Sequence, residues 1–204
     1  MKTKIAVKSL EVIAYEQLLP FVGKPLVLMI SGGSILRVLE SEQIAGMDKS
    51  LWSVYFADER LVPAGDKDSN YGAAEKFLDG VGNVFPIDTS LPAERMLAEY
   101  KEKLLNAKFD LAFLGIGEDG HIASIFPESA VIDSSDIVTI IRDSPKPPAE
   151  RVTVTPRMLT MIKKIVFLIP RLSNGMIKAI DEPHFSILSR INTDLLIVTI
   201  DPLS

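Results

Sequence analysis

The chain has 204 residues, 47% of them apolar, enough to bury one substantial core. Its formal charge of −5 and pI of about 5.1 leave no basic surplus, which argues against nucleic acid as a partner, so an anionic ligand must be gripped locally. With no cysteine, disulfides, thiolate nucleophiles, zinc ribbons and iron–sulfur clusters are excluded.

In chain order, "MKTKIAVKSLEVIAYE" is broken by Lys8 and Glu11 before any apolar stretch reaches the length of a signal peptide. No later apolar run is long enough to span a bilayer, so the expectation is an untargeted cytoplasmic protein with no membrane partner. "LVLMI" (26–30) reads as a strand buried on both faces, because it is continuous rather than alternating. A helix follows over 34–46, a strand at "WSVYFA" (52–57), and helices over 69–79 and 92–107. The last of these has Pro92 near its start and Leu97, Tyr100, Leu104 and Leu105 spaced for one face. Strands at "DLAFLGI" (110–116), "IVTII" (137–141), "KIVFLIP" (164–170) and "DLLIVTI" (194–200) alternate with helices over 155–162 and 173–181. The alternation predicts an α/β three-layer αβα fold with a mostly parallel sheet. The Pro-rich "DSPKPPAE" (143–150) reads as a loop inside a single domain over residues 1–204, since the chain beyond it is too short for a core of its own.

Ligands of open parallel sheets bind beyond the carboxyl ends of the strands. After "LVLMI" comes Ser31-Gly32-Gly33-Ser34, which reads either as an anion cradle or as good turn and N-cap material. It lacks the Lys-Ser/Thr of a nucleotide P-loop. After "WSVYFA" comes Asp58-Glu59-Arg60, either a solvated rim or an arginine clamp with carboxylates to orient it. "GIGEDGHIASIFP" contains Gly115-x-Gly117-x-x-Gly120, the letter pattern of a dinucleotide turn. That turn needs a sustained helix behind it, and Pro127 stops any helix beginning at His121 after about two turns. His121 suits a general base, with Asp119 two residues earlier to orient it. Asp58, Glu59, Asp119 and His121 supply oxygen and nitrogen donors for a metal, though without His-x-x-x-His spacing. Ser124 is not in a nucleophile elbow and reads as a helix residue, and His184 as a surface residue. Lys146 and Arg151 place two cations on a stiff segment, which is either a phosphate grip or a plain surface loop.

The blocks "SGGS", "ADERLVP" with "DSNYG", "FDLAFLGIGEDGHIASIFP" and "SPKPPAERVTVT" together resemble the glucosamine-6-phosphate isomerase/6-phosphogluconolactonase family, on its lactonase branch. The resemblance implies a Rossmann-like fold of the isomerase/CoA-transferase type and hydrolysis of 6-phospho-D-glucono-1,5-lactone in the oxidative pentose phosphate pathway. It implies no metal and no cofactor and a small phosphorylated lactone as the binding partner; the expected assembly is a monomer or weak homo-oligomer. By the same resemblance His121 is the base that activates water, Asp119 and Asp58 shape its setting, and Arg60 stabilises charge at the reacting centre. Gly32, Gly33, Ser34, Lys146 and Arg151 are implied to hold the phosphate. The deaminases of the group follow "DGHIA" with phenylalanine, where this chain has Ser124, and read Asp-Glu-Tyr where it has Asp58-Glu59-Arg60. Two departures are Ile35-Leu36, where proline is common in the family, and an altered "PRLSNGMIKAI" after the strand at 164–170. The rival readings are an amino-sugar-phosphate deaminase or isomerase and a non-catalytic sugar-phosphate sensor.

Overall fold

A computed structural model describes residues 3–182 and 187–200. His184 lies outside the described residues. In chain order the strands and helices are β1 (Thr3–Val7), α1 (Leu10–Leu18), β2 (Leu26–Ile30), α2 (Ser34–Leu39), α3 (Glu42–Ala45), β3 (Trp52–Phe56) and β4 (Asp58–Arg60). Next come α4 (Asn70–Ala73), α5 (Glu75–Leu78), β5 (Asn83–Phe85), α6 (Ala93–Leu105), β6 (Leu111–Leu114), β7 (Val138–Ile141) and β8 (Arg151–Val154). The described chain closes with α7 (Pro156–Thr160), β9 (Lys164–Ile169), α8 (Asn174–Asp181) and β10 (Asp194–Thr199).

Seven strands form one sheet in the order β1-β10-β9-β6-β2-β3-β5, and every pair is parallel. Their continuous apolar runs are explained by burial on both faces. Met29, Tyr55, Ala112, Leu114, Phe167 and Ile197 join α6, α7 and α8 in one core, while Leu28, Val54, Phe113, Val166 and Val198 join α1, α2, α3 and α5 in the other. The three αβα layers expected from the alternation are therefore present.

Several elements differ from the sequence reading. The run at 137–141 is not in the main sheet: its strand β7 pairs antiparallel with β8, which pairs antiparallel with β4. The residues read as a charged rim, Asp58–Arg60, are thus a short strand of a second sheet, with Asp58 and Glu59 buried. The helix expected over 34–46 breaks in two at Ser41, the N-cap of α3, and that over 69–79 breaks at Ala74. In α6 the buried stripe is Met96, Tyr100 and Leu104, spaced i, i+4, i+8, and Leu105 points to solvent.

Strand order reverses between β2 and β6, which lie side by side: the chain goes from β2 outward to β3 and β5, and from β6 the other way to β9 and β10. The loops leaving these two strands diverge and open a crevice at their carboxyl ends. The seam is tied across: Ser31 N–H donates to Phe113 O (3.2 Å), and Gly115 N–H donates to Ser31 Oγ (3.3 Å).

Candidate active site

A cleft of about 200 Å³ occupies this crevice, lined by Ser31 to Ser34, Asp58, Arg60, Asn70, Gly115 to Gly117, His121, Ala123 and Arg151. A larger open groove of about 1000 Å³ lies beside it along the 64–67 loop and α4–α5, but it gathers no histidine or arginine. The convergent polar groups make the smaller cleft the candidate site for chemistry.

The segment after β6 is a pair of turns rather than a helix. Gly117 O accepts from Gly120 N–H (2.8 Å), with Gly120 at φ +87°, and Gly117 N–H donates back to His121 O (2.8 Å). Ile122 and Ile125 then exchange backbone bonds of 3.1 and 2.8 Å around Ala123, whose φ is +53°. The segment itself starts no helix that could receive a pyrophosphate, so the glycine pattern serves tight turns. Ser124, expected on a helix, instead sits fully buried in the second turn.

These turns place His121 against Gly117 and stacked on Phe126, ring centroids 4.8 Å apart and planes 29° apart. Its Nδ1 hydrogen-bonds Asp119 Oδ1, and Lys146 Nζ holds the other carboxylate oxygen, Oδ2, at 3.1 Å. Partial burial opposes ionisation of Asp119, but the hydrogen bond and charge of His121, and after them those of Lys146, outweigh it and hold the carboxyl below its usual range. Asp119 and Lys146 stand behind the histidine, outside the lining of the cleft. The turn is braced from behind by α8, whose N-cap Ser173 donates to Glu118 O (2.8 Å); a Cβ on Gly175 would come within 2.2 Å of that oxygen. The segment that departs from the family pattern is thus packed directly on the histidine turn.

The second sheet supplies the opposite wall. Asp58 is buried and accepts from Ser124 Oγ (2.6 Å) and from Asn70 Nδ2, which also reaches Asp58 O (2.9 Å). Glu59 points away and takes Asn70 N–H (2.7 Å), Tyr71 N–H (2.8 Å), Arg60 N–H (2.7 Å) and Ser69 Oγ (3.2 Å). Burial pushes its carboxyl up, partly countered by those amides. Glu59 therefore fastens the "DSNYG" segment and brings Asn70 over Gly32, where a Cβ would lie 1.8 Å from Asn70 Oδ1. Arg60 donates from Nη1 to Asp68 O (2.7 Å), while its Nε is buried with no partner among the described residues.

Arg151 is buried and turned on its own loop, donating from Nε to Pro148 O (2.9 Å) and from Nη2 to Lys146 O (2.9 Å) and Pro147 O (3.1 Å). Nη1 reaches Ser124 Oγ at 3.3 Å, so among the described residues one of the five guanidinium N–H groups, on Nη1, is without a partner. Burial and the nearby Arg60 lower its pKa.

Of the residues singled out in the sequence, Gly32, Gly33, Ser34, Asp58, Arg60, His121 and Arg151 line the cleft; Asp119 contacts His121 from outside the lining, and Lys146 contacts Asp119. The metal set is not assembled: Glu59 is occupied by backbone amides and Asp58 by Ser124 and Asn70. Among the described residues no group of three or more His, Asp or Glu is placed to hold an ion. Residue-level reasoning missed Asn70, Ser124 and Phe126; each lay inside a quoted block, but only the fold shows what each touches.

The sequence profile of the family described as glucosamine-6-phosphate isomerases/6-phosphogluconolactonase matches residues 15–173. The chain is 39% identical over 153 residues to the chloroplastic 6-phosphogluconolactonase 3 of Arabidopsis thaliana, covering 63% of this chain and 47% of that one. It is 38% identical over 163 residues to 6-phosphogluconolactonase 3 of Saccharomyces cerevisiae, covering 68% and 64%. It spans between about half and two thirds of the length of these relatives. The crystal structure of 6-phosphogluconolactonase from Leishmania guyanensis shares the fold, with a TM-score of 0.83 over 98% of this chain and 96% of that one at 23% identity. With the profile running from within α1 to the residue that caps α8, the chain belongs to the glucosamine-6-phosphate isomerase/6-phosphogluconolactonase family.

Proposed function

We propose that this chain hydrolyses 6-phospho-D-glucono-1,5-lactone to 6-phosphogluconate, a step of the oxidative pentose phosphate pathway, with His121 as the general base. The observation that carries the reading is the Asp119–His121 pair set at the edge of a cleft that also holds Arg60 and Arg151. With Nδ1–H given to Asp119, Nε2 keeps its lone pair and is the atom that takes a proton from water. As the water oxygen bonds to the lactone carbonyl carbon, the carbonyl electrons move to its oxygen, and Arg60 steadies that oxyanion. Collapse breaks the bond between this carbon and the ring oxygen, which takes the proton back from the imidazolium. Both the water and the leaving group are served by one side chain, and no covalent enzyme intermediate is needed. Gly32, Gly33 and Ser34, with Lys146 and the spare N–H of Arg151, hold the phosphate.

The test is hydrolysis of freshly prepared lactone, measured above its spontaneous rate, with and without EDTA. His121→Ala lowers kcat by about 10²- to 10⁴-fold, the usual share of a positioned base. An unchanged kcat would remove His121 from this role, and loss of wild-type activity in EDTA would bring back a metal-assisted reaction. Ammonia release from glucosamine 6-phosphate would move the chain to the deaminase branch; ligand binding with no turnover of any substrate would make it a sensor.

A further inference from the structure

The 143–150 loop has a backbone pinned by Arg151 and an exposed, ion-paired charge. Buried Arg151 clamps three successive carbonyls, those of Lys146, Pro147 and Pro148, at 2.9 to 3.1 Å. Among the described residues the side chain of Lys146 has one charged partner, Asp119 Oδ2, and the two side chains are 43% and 39% exposed. An ion pair that open to water is weak and exchanges its partner readily for a stronger anion. A phosphate monoester is such an anion, with about two charges and three oxygens against one charge and two. Asp119 meanwhile divides its carboxylate between Lys146 and His121, the imidazole that lines the cleft.

We propose that Lys146 is a positioning residue that moves from Asp119 to the phosphate of an arriving substrate, leaving Asp119 to His121 alone. The inference rests on the reading of His121 as base and of Lys146 as a phosphate ligand. While Lys146 sits on Asp119, its positive charge disfavours protonation of the imidazole; once it leaves, His121 becomes the stronger base. The protein thereby reserves its full basicity for phosphorylated substrates. The other charged groups near the ring among the described residues are Asp119 on its own turn, Asp58 and Arg60 on β4 and Arg151 on β8; replacing Lys146 removes an ion-pair partner from Asp119 and leaves the Asp58, Arg60 and Arg151 side chains in place.

The chain has two histidines, so His121 is followed directly by NMR titration of its ring protons, with His184→Gln making the assignment. In ligand-free protein, Lys146→Gln raises the His121 midpoint by about half a pH unit, the scale of an exposed ion pair, and Lys146→Arg leaves it at the wild-type value. In saturating inorganic phosphate the difference between wild type and Lys146→Gln shrinks. Equal midpoints without phosphate, or a difference that phosphate leaves intact, would overturn the proposal. These readouts do not depend on turnover, so they are separate from failure of the lactonase reading, which shows as absence of lactone hydrolysis by the wild type. In kinetics, Lys146→Gln moves the acid limb of kcat/KM upward and raises KM. A rise in KM with an unmoved limb overturns the coupling and leaves Lys146 a plain phosphate ligand.

Discussion

Ser124 donates its hydroxyl hydrogen to Asp58 Oδ2 over 2.6 Å, and through this one bond the turn that carries His121 is fixed to a carboxylate of the second sheet. The same hydroxyl oxygen accepts from Arg151, and Ser124 N–H rests on Thr153 Oγ1 (3.2 Å). All of these groups are buried, so Ser124→Ala leaves a carboxylate oxygen and a guanidinium N–H short of a partner. The expected cost is about 1–3 kcal/mol of stability, read by urea denaturation, with a rise in KM as Arg151 loses its support. A variant as stable as the wild type would show that the bond holds nothing in place.

Gly117 is needed because His121 lies on it. A Cβ there would fall 2.0 Å from His121 Cε1 and 2.1 Å from Nδ1, so in Gly117→Ala the ring must move. On the proposed role of His121 as base, a displacement of about 1 Å costs roughly two orders of magnitude in rate. The expected result is a fall in kcat of about that size with a urea midpoint close to wild type, since the ring, not the core, absorbs the change.

The Asp119 pair gives stability a pH dependence of known sign. Its carboxyl is held below the ordinary aspartate range, so the folded state gains from it at all pH values above that range. The gain fades as the pH falls through the lower, folded value. Asp119→Asn therefore has a lower Tm than the wild type at neutral pH, and the gap narrows once the pH drops below the ordinary aspartate range. A gap that widened on acidification would contradict the assigned direction.

Tyr100 completes the edge of β3. β5 ends at Phe85, opposite Tyr55, so the next β3 residue, Phe56, lacks a strand partner on that side. Tyr100 Oη takes both its groups, accepting from Phe56 N–H (2.9 Å) and donating to Phe56 O (2.6 Å). Burial drives the phenol far above its usual pKa, so it stays a donor. Tyr100→Phe is expected to cost about 1–3 kcal/mol in urea denaturation, with the substrate cleft's chemistry retained at low temperature.

The parts of the molecule legible from the sequence are those where local pattern and tertiary role agree. Continuous apolar runs marked β2, β3, β6, β9 and β10, and the segments after β2, β3 and β6 held the residues that meet in the cleft apart from Arg151. β1 was hidden by lysines on both sides of "IAV", and β5 is too short to show a period. The second sheet was hidden for a different reason. β7 looks like any buried parallel strand, and its partner β8 opens with Arg151 directly after a proline-rich loop, so nothing local distinguishes it from loop. Ser124 was misjudged because "HIAS" has helical composition, whereas Ala123 adopts a left-handed conformation that no composition announces.

Where the chain first passes from the main sheet to the second, a single residue, Ala57, separates β3 from β4. Its N–H donates to Ile30 O on β2 (2.7 Å), and its carbonyl accepts from Val154 N–H on β8 (2.8 Å). One residue thus has a bond in each sheet, and no slack chain is available there for a hinge. The spacing between the glycine loop on one wall and the Asp58–Arg60 strand on the other is accordingly a property of the backbone, set when the chain folds. On the proposed lactonase reading, a substrate would meet an aperture of set gauge, and discrimination among rings of different size would become a matter of admission at the entrance rather than of closure around what has entered.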